Sequence, residues 1–369
     1  MKLYFIAGEA SGDLHGGNLI NALKNQHPTL EIRAWGGEKM AESGAKVVKH
    51  YKSIAYMGFI EVLKNLPDIL KNFEFAKSDI LEFNPNVLIL IDYPGFNLRM
   101  AKWAHKQKIP VVYYILPQLW AWHAGRIKYL EKYTKVRLAI LPFEKSFYTT
   151  KNLNVQYVGH PLVQHIERFN QNYIKESKDN PEPSVSQISV ALLPGSRVQE
   201  IKKHIPLLIA LVRKFPFLHF DLALAPGLPE ELHFQLLKLF PKNFSISKNT
   251  YQTLSKSKFA VVCSGTATLE TALFLVPQIV FYRTNILNYL LAKLMVKVKY
   301  ISLVNLILQK PLVKEIINPI NQEENLINSF KDLMKPQNEE LIKQGYKEIR
   351  LKLGNYNTSE ICSEIIFNV

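Results

Sequence analysis

The chain reads as an α/β protein built from two Rossmann-like, doubly wound parallel-sheet domains, and three observations predict this. Short β-branched or aromatic runs alternate with helical periodicity. The alternation runs through twice, in two series separated by a polar stretch. A length of 369 residues also exceeds one ordinary core and suits two. In the first series the apolar runs at 3–7, 31–35, 87–91, 111–115 and 138–141 predict strands. Helical spacing at 14–23, 62–81 and 98–105, with Lys and Glu on the opposing positions, predicts the helices between them. Residues 170–187 hold Pro181, Pro183 and several Ser, Lys and Asn but almost no aliphatics, which marks a boundary. We therefore expect a first domain over 1–165, a linker over 166–187 and a second domain over 188–340. The second series has strands at 188–193, 218–224, 260–263 and 279–282. The end, 341–369, reads as helix interrupted at Gly354-Asn355, expected to pack back on the first domain or on a partner subunit.

Composition narrows the function classes. Hydrophobic residues at 47% against 21% charged exclude a disordered chain and a polytopic membrane protein. The formal charge of +15 favours anionic partners: nucleic acid, an anionic membrane or phosphorylated substrates. Nucleic acid fits poorly, because aromatics are not interleaved with basic residues and no helix-turn-helix or zinc-finger pattern occurs. Cys263 and Cys362 form no CxxC pair, so a reducing cytoplasm is expected. Glu9 and Asp13 interrupt the apolar start, which reads as a first strand rather than a signal peptide. No apolar stretch approaches the roughly 20 residues that span a bilayer, so membrane contact is expected to be peripheral. The ten histidines show no metal-ligand spacing, and no metal or cofactor is expected.

In an open parallel sheet, ligands bind at the carboxyl ends of the strands. After the first predicted strand comes Gly8-Glu9-Ala10-Ser11-Gly12-Asp13, a glycine-rich turn into a helix. It lacks dinucleotide and P-loop spacing, and is read either as an anion-facing helix start or as a tight turn capped by Ser11 or Asp13. Asp92 ends the apolar run 87–91. A partly desolvated carboxylate there suits a general base; the alternative is an Asx-type turn closing Pro94-Gly95. Leu193-Pro194-Gly195-Ser196-Arg197 sets a cation after a strand, facing either a diphosphate or Glu200. Ser264-Gly265-Thr266-Ala267-Thr268 opens a helix with small residues that leave its amides accessible. Glu270 follows as a ribose acceptor or a surface carboxylate, and Cys263 is expected to be packed rather than reactive. Two stripes, around Met57–Phe73 and over 286–308, interleave apolar residues with lysines, and each suits either the core or a membrane interface.

Together these blocks resemble the bacterial lipid-A-disaccharide synthase family of two-domain, GT-B glycosyltransferases. The resemblance covers the whole chain and rests on the glycine-rich turn, Met57-Gly58, Ile91-Asp92 with Pro94 and Phe96-Asn97, Trp120-Ala121-Trp122 and Leu141-Pro142-Phe143-Glu144-Lys145. It continues through Val158-Gly159-His160, Pro194-Gly195-Ser196-Arg197, Ser264 to Glu270, Tyr282-Arg283, Tyr300-Ile301-Ser302-Leu303 with Asn305, and Lys314-Glu315. It implies two domains facing a cleft and transfer of a 2,3-diacylglucosamine unit from UDP to 2,3-diacylglucosamine 1-phosphate, with inversion and without a metal. By resemblance, Asp92 and Arg197 are catalytic. Gly195, Ser196, Arg197, Ser264, Gly265, Thr266, Thr268, Glu270, Tyr282, Arg283 and Asn305 are expected at the UDP donor, and Glu9, Ser11, Gly12 and Asp13 at the acceptor. Many members carry a second Asp where Gly95 stands and a small residue where Tyr93 stands, so a role for that second carboxylate does not carry over. Acylated substrates turn the first stripe toward membrane or acyl contact, through Met57, Phe59, Val62, Leu63, Leu66, Ile69 and Leu70. The expected setting is the cytoplasmic face of the inner membrane, with lipid-linked sugars and an anionic surface as partners; a homodimer is left open. The competing readings are another GT-B enzyme of UDP-sugars, such as a peptidoglycan glycosyltransferase or UDP-N-acetylglucosamine epimerase, and a basic nucleic-acid-binding protein.

Overall fold

A computed structural model describes residues 1–53, 66–121, 124–179, 187–225, 228–295 and 298–369. The chain divides into two compact units, Met1–Pro161 with Asn355–Val369, and Leu162–Gly354.

The first unit contains strands β1 (Lys2–Ala7), β2 (Glu31–Gly36), β3 (Lys46–His50), β4 (Val87–Ile91), β5 (Val111–Tyr114), β6 (Val136–Ala139) and β7 (Gln156–Tyr157). Its helices are α1 (Ala10–Gln26), α2 (Glu38–Glu42), α3 (Leu66–Phe83), α4 (Pro94–Lys106), α5 (Ile127–Tyr133) and α6 (Pro142–Thr149). All the strands pair in parallel, in the order β3-β2-β1-β4-β5-β6-β7. The direction of winding reverses between β1 and β4, which places the loops after those two strands at the switch point where open α/β sheets bind ligands. β1 and β4 run in register from Leu3↔Val87 to Ala7↔Ile91, so Gly8 and Asp92 leave the sheet side by side.

The second unit opens with α7 (Pro161–Asp179) and continues with β8 (Ser189–Leu193), α8 (Val198–Lys214), β9 (His219–Ala223), α9 (Glu230–Leu237), β10 (Phe244–Ser247), α10 (Thr250–Lys256) and β11 (Phe259–Cys263). There follow α11 (Ala267–Leu273), β12 (Gln278–Phe281), α12 (Ile286–Met295), α13 (Leu303–Leu308), β13 (Lys314–Ile316), α14 (Gln322–Leu333) and α15 (Pro336–Leu353). Its parallel sheet runs β10-β9-β8-β11-β12-β13, with the switch point between β8 and β11. Both central strand pairs are buried throughout or nearly so, and their apolar runs form the two cores.

Residues 166–179, assigned from sequence to a linker, are helical: they continue α7 rather than leaving it. Phe169 explains why, since its ring packs edge-on against Tyr251 and Phe274 within the second unit. The chain returns to the first unit after Gly354, whose φ of 72° ends α15. There α16 (Thr358–Phe367) lies on α1, with Ser363 Oγ 2.8 Å from Gln26 Oε1 and Phe367 stacked on His27. No helix among the described residues is long and apolar enough to cross a membrane.

Candidate active site

In the first unit, the loops after β1, β4 and β6 place Asp92 under the influence of Glu9, and Glu144 under that of Asp92. Asp92 sits in the left-handed region at φ 45°, and Tyr93 follows at φ 48°. Two successive non-glycine residues there are strained, and such strain persists only where the surroundings over-determine it. They do so here. The Asp92 carbonyl accepts from Asn97 Nδ2 at 2.8 Å and from Tyr113 OH at 2.7 Å, while its amide donates to Tyr114 O. Asn97 is fully buried and also bonds the Ile91 carbonyl, so Asn97 pins the turn, while the Asp92 carboxylate accepts from the backbone amide of the adjacent Tyr93. Ile115, at the end of β5, carries a third positive φ of 61°, which shortens the strand expected over 111–115.

Burial first, and then the Glu9 charge, raise the Asp92 carboxyl to about 7. Glu144, at the start of α6, is buried and likewise raised to about 7, by desolvation opposed by hydrogen bonds and with a contribution from Asp92. Its Oε2 accepts from Leu141 N at 3.1 Å and its Oε1 from Trp120 Nε1 at 3.2 Å. His160 is buried and held neutral, its proton affinity depressed to about 3 by desolvation and by His15. Glu144 was quoted above only as part of a motif. The available signal was a carboxylate five residues after a strand end and in the first turn of a Pro-initiated helix.

The glycine-rich turn acts through close packing. A Cβ on Gly8 would lie 2.4 Å from the Tyr93 ring, and one on Gly16 would lie 2.0 Å from Met40 Cε. Gly12 is buried against Ala7, whereas Ala10 and Ser11 are exposed and Glu9 is half-buried. Asp13, expected at the acceptor, is instead buried with both oxygens taken by the amides of Gly37, Lys39 and Met40, where it caps α2. Gly95 has open space around it, so packing does not exclude a second carboxylate there.

In the second unit, the loops after β8, β11 and β12 converge. Gly195 (φ 111°) lies so close to Glu200 and Cys263 that a Cβ would meet them at 3.0 and 3.6 Å. Arg197 Nη1 bonds Glu200 Oε1 at 3.2 Å, the surface pair weighed above. Ser196, Arg197, Gly265, Thr266 and Arg283 are exposed, with Ser264 and Tyr282 half-buried. Glu270 is half-buried and accepts from Tyr251 OH at 2.9 Å. Desolvation raises its carboxyl above the ordinary value. Cys263 is packed, its thiol pushed up to about 12 by burial.

Fully buried His204 ties two of these loops together. Its Nδ1 is 2.7 Å from Pro194 O and its Nε2 accepts from the Arg283 amide at 3.3 Å. One nitrogen must donate and the other accept, which requires the neutral ring, and desolvation lowers its proton affinity accordingly. Nothing in its position on an apolar helix distinguishes it from a packed histidine.

Two donor candidates are structural. Asn305 is 1% exposed; its Nδ2 donates to Val313 O and Glu315 Oε1 and its Oδ1 accepts from Val313 N. Thr268 is fully buried, its hydroxyl donating to Gly265 O and accepting from Leu303 N. With Ser264 Oγ on Ile301 O and Glu315 on the amides of Ile301 and Ser302, they form a polar clasp that supports the Ser264–Thr266 loop from beneath.

On α3, Leu66 and Leu70 are 43% and 57% exposed and Ile69 is half-buried, whereas Ala76, Ile80 and Phe83 of the same helix are buried. Met57, Phe59, Val62, Leu63 and Trp122 lie outside the described residues.

Comparison with known proteins accords with this geometry. Residues 3–366 match the family model described as lipid-A-disaccharide synthetase. The lipid-A-disaccharide synthase of Coxiella burnetii (strain Dugway 5J108-111) is 33% identical over 378 residues, covering 100% of this chain and 99% of the relative. That of Myxococcus xanthus (strain DK1622) is 31% identical over 382 residues, covering 100% and 97%. Among solved structures, Methanocaldococcus jannaschii UDP-GlcNAc 2-epimerase in complex with UDP-GlcNAc and UDP superposes with a TM-score of 0.66 at 14% identity, covering both chains fully. The glycotransferase of kitacinnamycin gives 0.65 at 12% identity, covering 100% of this chain and 98% of that one. Likeness at such identity shows the two-domain GT-B fold, which epimerases and glycosyltransferases share, while the full-length sequence match separates them: the chain belongs to the lipid-A-disaccharide synthase family.

Proposed function

We propose that the chain condenses UDP-2,3-diacylglucosamine with 2,3-diacylglucosamine 1-phosphate, giving the β(1→6) disaccharide 1-phosphate and UDP. The observation that carries the mechanism is Asp92: a carboxylate raised to about 7, at the switch point of the first sheet, on a backbone turn held in a strained conformation. A base of that strength is largely ionised just above neutrality and still takes a proton effectively.

Asp92 removes the proton from the acceptor 6-hydroxyl as that oxygen attacks the anomeric carbon in line, so the sugar inverts. The C–O bond to the diphosphate breaks, and UDP leaves with the electron pair. Burial and then the Glu9 charge keep the Asp92 carboxyl basic, and Ser11 with Glu9 faces the acceptor from the glycine-rich turn. On the second unit, Arg197, with Ser196, Gly265 and Thr266, meets the charge growing on the diphosphate; Glu200 positions the guanidinium. Glu270 takes the ribose hydroxyls, and Tyr282 and Arg283 flank the nucleotide. The chemistry calls on no cofactor beyond the nucleotide sugar. The acylated substrates place the work at a membrane surface on its cytoplasmic face, where Leu66 and Leu70 touch lipid and the +15 charge attracts anionic headgroups.

Incubation with both sugars in detergent, followed by mass spectrometry and proton NMR, should show a disaccharide 1-phosphate with a β-linkage and UDP in equal amount. Release of UDP without disaccharide, or a free epimerised sugar, would overturn the reading.

A further inference from the structure

The second amphipathic stripe divides in the structure: Val304, Leu306, Ile307 and Leu308 of α13 are buried, whereas α12 leaves apolar side chains in solvent. Helix α12 exposes Ile286, Leu290 and Leu294 at 54%, 51% and 84%. Their spacing of four residues gathers them within an arc of about 80° on one side of the helix. Scattered exposed leucines carry no meaning, but three aligned on one short helix are an unpartnered apolar face. Lys293, also exposed, stands at the edge of that arc, and exposed Lys299 lies beyond the end of the helix. No Asp or Glu occurs between Glu270 and Glu315, so this apolar face sits in a segment whose charge is entirely positive.

We propose that α12 is a second lipid-docking surface, carried by the second unit, that lies in the interface of an anionic bilayer. Its apolar side enters the acyl boundary while Lys293 stays at the headgroups, as an interfacial helix with lysines beside its apolar face does. An apolar protein partner would be served by the leucines alone; the acid-free flank selects a negatively charged surface. The inference rests on the proposed function only in expecting the substrates to reside in a bilayer. It implies that each unit makes its own contact with that bilayer, the first through Leu66 and Leu70.

The test is co-sedimentation of the full chain with vesicles of phosphatidylglycerol and phosphatidylcholine, compared with phosphatidylcholine alone. Leu290→Ser with Leu294→Ser should lower the partition coefficient about tenfold, alone and in a Leu66→Ser, Leu70→Ser background. The thermal midpoint should fall by no more than a few degrees, because Leu290 and Leu294 are already 51% and 84% exposed. Lys293→Gln should cost about fivefold, on the anionic vesicles only and mainly at low salt. Partitioning within twofold of the unaltered chain in both backgrounds overturns the proposal. So does a fall in oligomeric mass at unchanged vesicle binding, which would make a second copy of the chain the occupant. Disaccharide synthesis in detergent is measured in parallel. Its failure with vesicle binding intact condemns the proposed reaction and leaves this surface standing; the reverse pattern condemns the surface alone.

Discussion

Asp92→Asn separates the chemistry of this carboxylate from its cost to the fold. The folded chain raises the group from 3.8 to about 7, so the native state holds that proton more tightly than the unfolded one. Its contribution to stability is therefore full below about pH 4 and is lost as pH rises through about 7. At 1.36 kcal/mol per unit the loss has a ceiling of about 4 kcal/mol, and water reaching the half-buried carboxylate reduces it to about 2 kcal/mol. Asparagine keeps the shape, tolerates the left-handed backbone and carries no charge to bury. Urea unfolding should then show Asp92→Asn more stable than the unaltered chain by about 2 kcal/mol at about pH 8, with the excess gone at about pH 4. Any backbone preference of Asn is common to both conditions and cancels in the difference. Turnover should fall by about 10²–10⁴. Equal stability differences at the two pH values would refute the desolvated-base argument, and turnover within a few-fold would refute the assignment.

The remaining predictions concern the supports of the site. Gly8→Ala drives a methyl into the Tyr93 ring and should cost about 1–3 kcal/mol while lowering kcat, measurable by thermal melting beside steady-state rates. Asn305→Ala orphans the Val313 amide and part of Glu315, so stability should fall by about 3 kcal/mol with donor KM within about twofold in detergent assays; a selective rise in KM would restore Asn305 to the donor site. His204→Leu preserves packing but cuts both loop ties, and calorimetry should show UDP binding weakened about tenfold. Arg197→Ala should lower kcat/KM by at least about a hundredfold; an unchanged value would leave Arg197 as no more than the partner of Glu200.

The central strands were legible because strands buried on both faces need continuous apolar runs, as in Val87–Ile91 and Phe259–Cys263. The strands that sequence reasoning missed, β3, β7, β10 and β13, are the four sheet edges. They are short and half-exposed, so Lys46–His50 and Phe244–Ser247 carry no such run. Residues 170–179 read as linker because they are polar and hold almost no aliphatics, and nothing in that run signals the anchor that Phe169 supplies to the helix just before it. At the site, Asp92 and Arg197 were legible as charges at strand ends. Glu144 and His204 were not, because their roles depend on burial and on partners distant in sequence, Trp120 for the one and Pro194 and Arg283 for the other. Asn305 and Thr268 belong to recognisable motifs, yet their polar atoms point inward to a clasp, a distinction that spacing alone does not carry.

The pH dependence of kcat/KM, measured for the unaltered chain and for Glu9→Gln, bears most directly on Asp92 as the base. The acid limb should bend near 7, and removing the Glu9 charge should move it to lower pH, because Glu9 acts on Asp92 and is not among the influences on Glu144. A profile flat from about pH 5 to about pH 8, or a limb that stays in place in Glu9→Gln, would contradict the account.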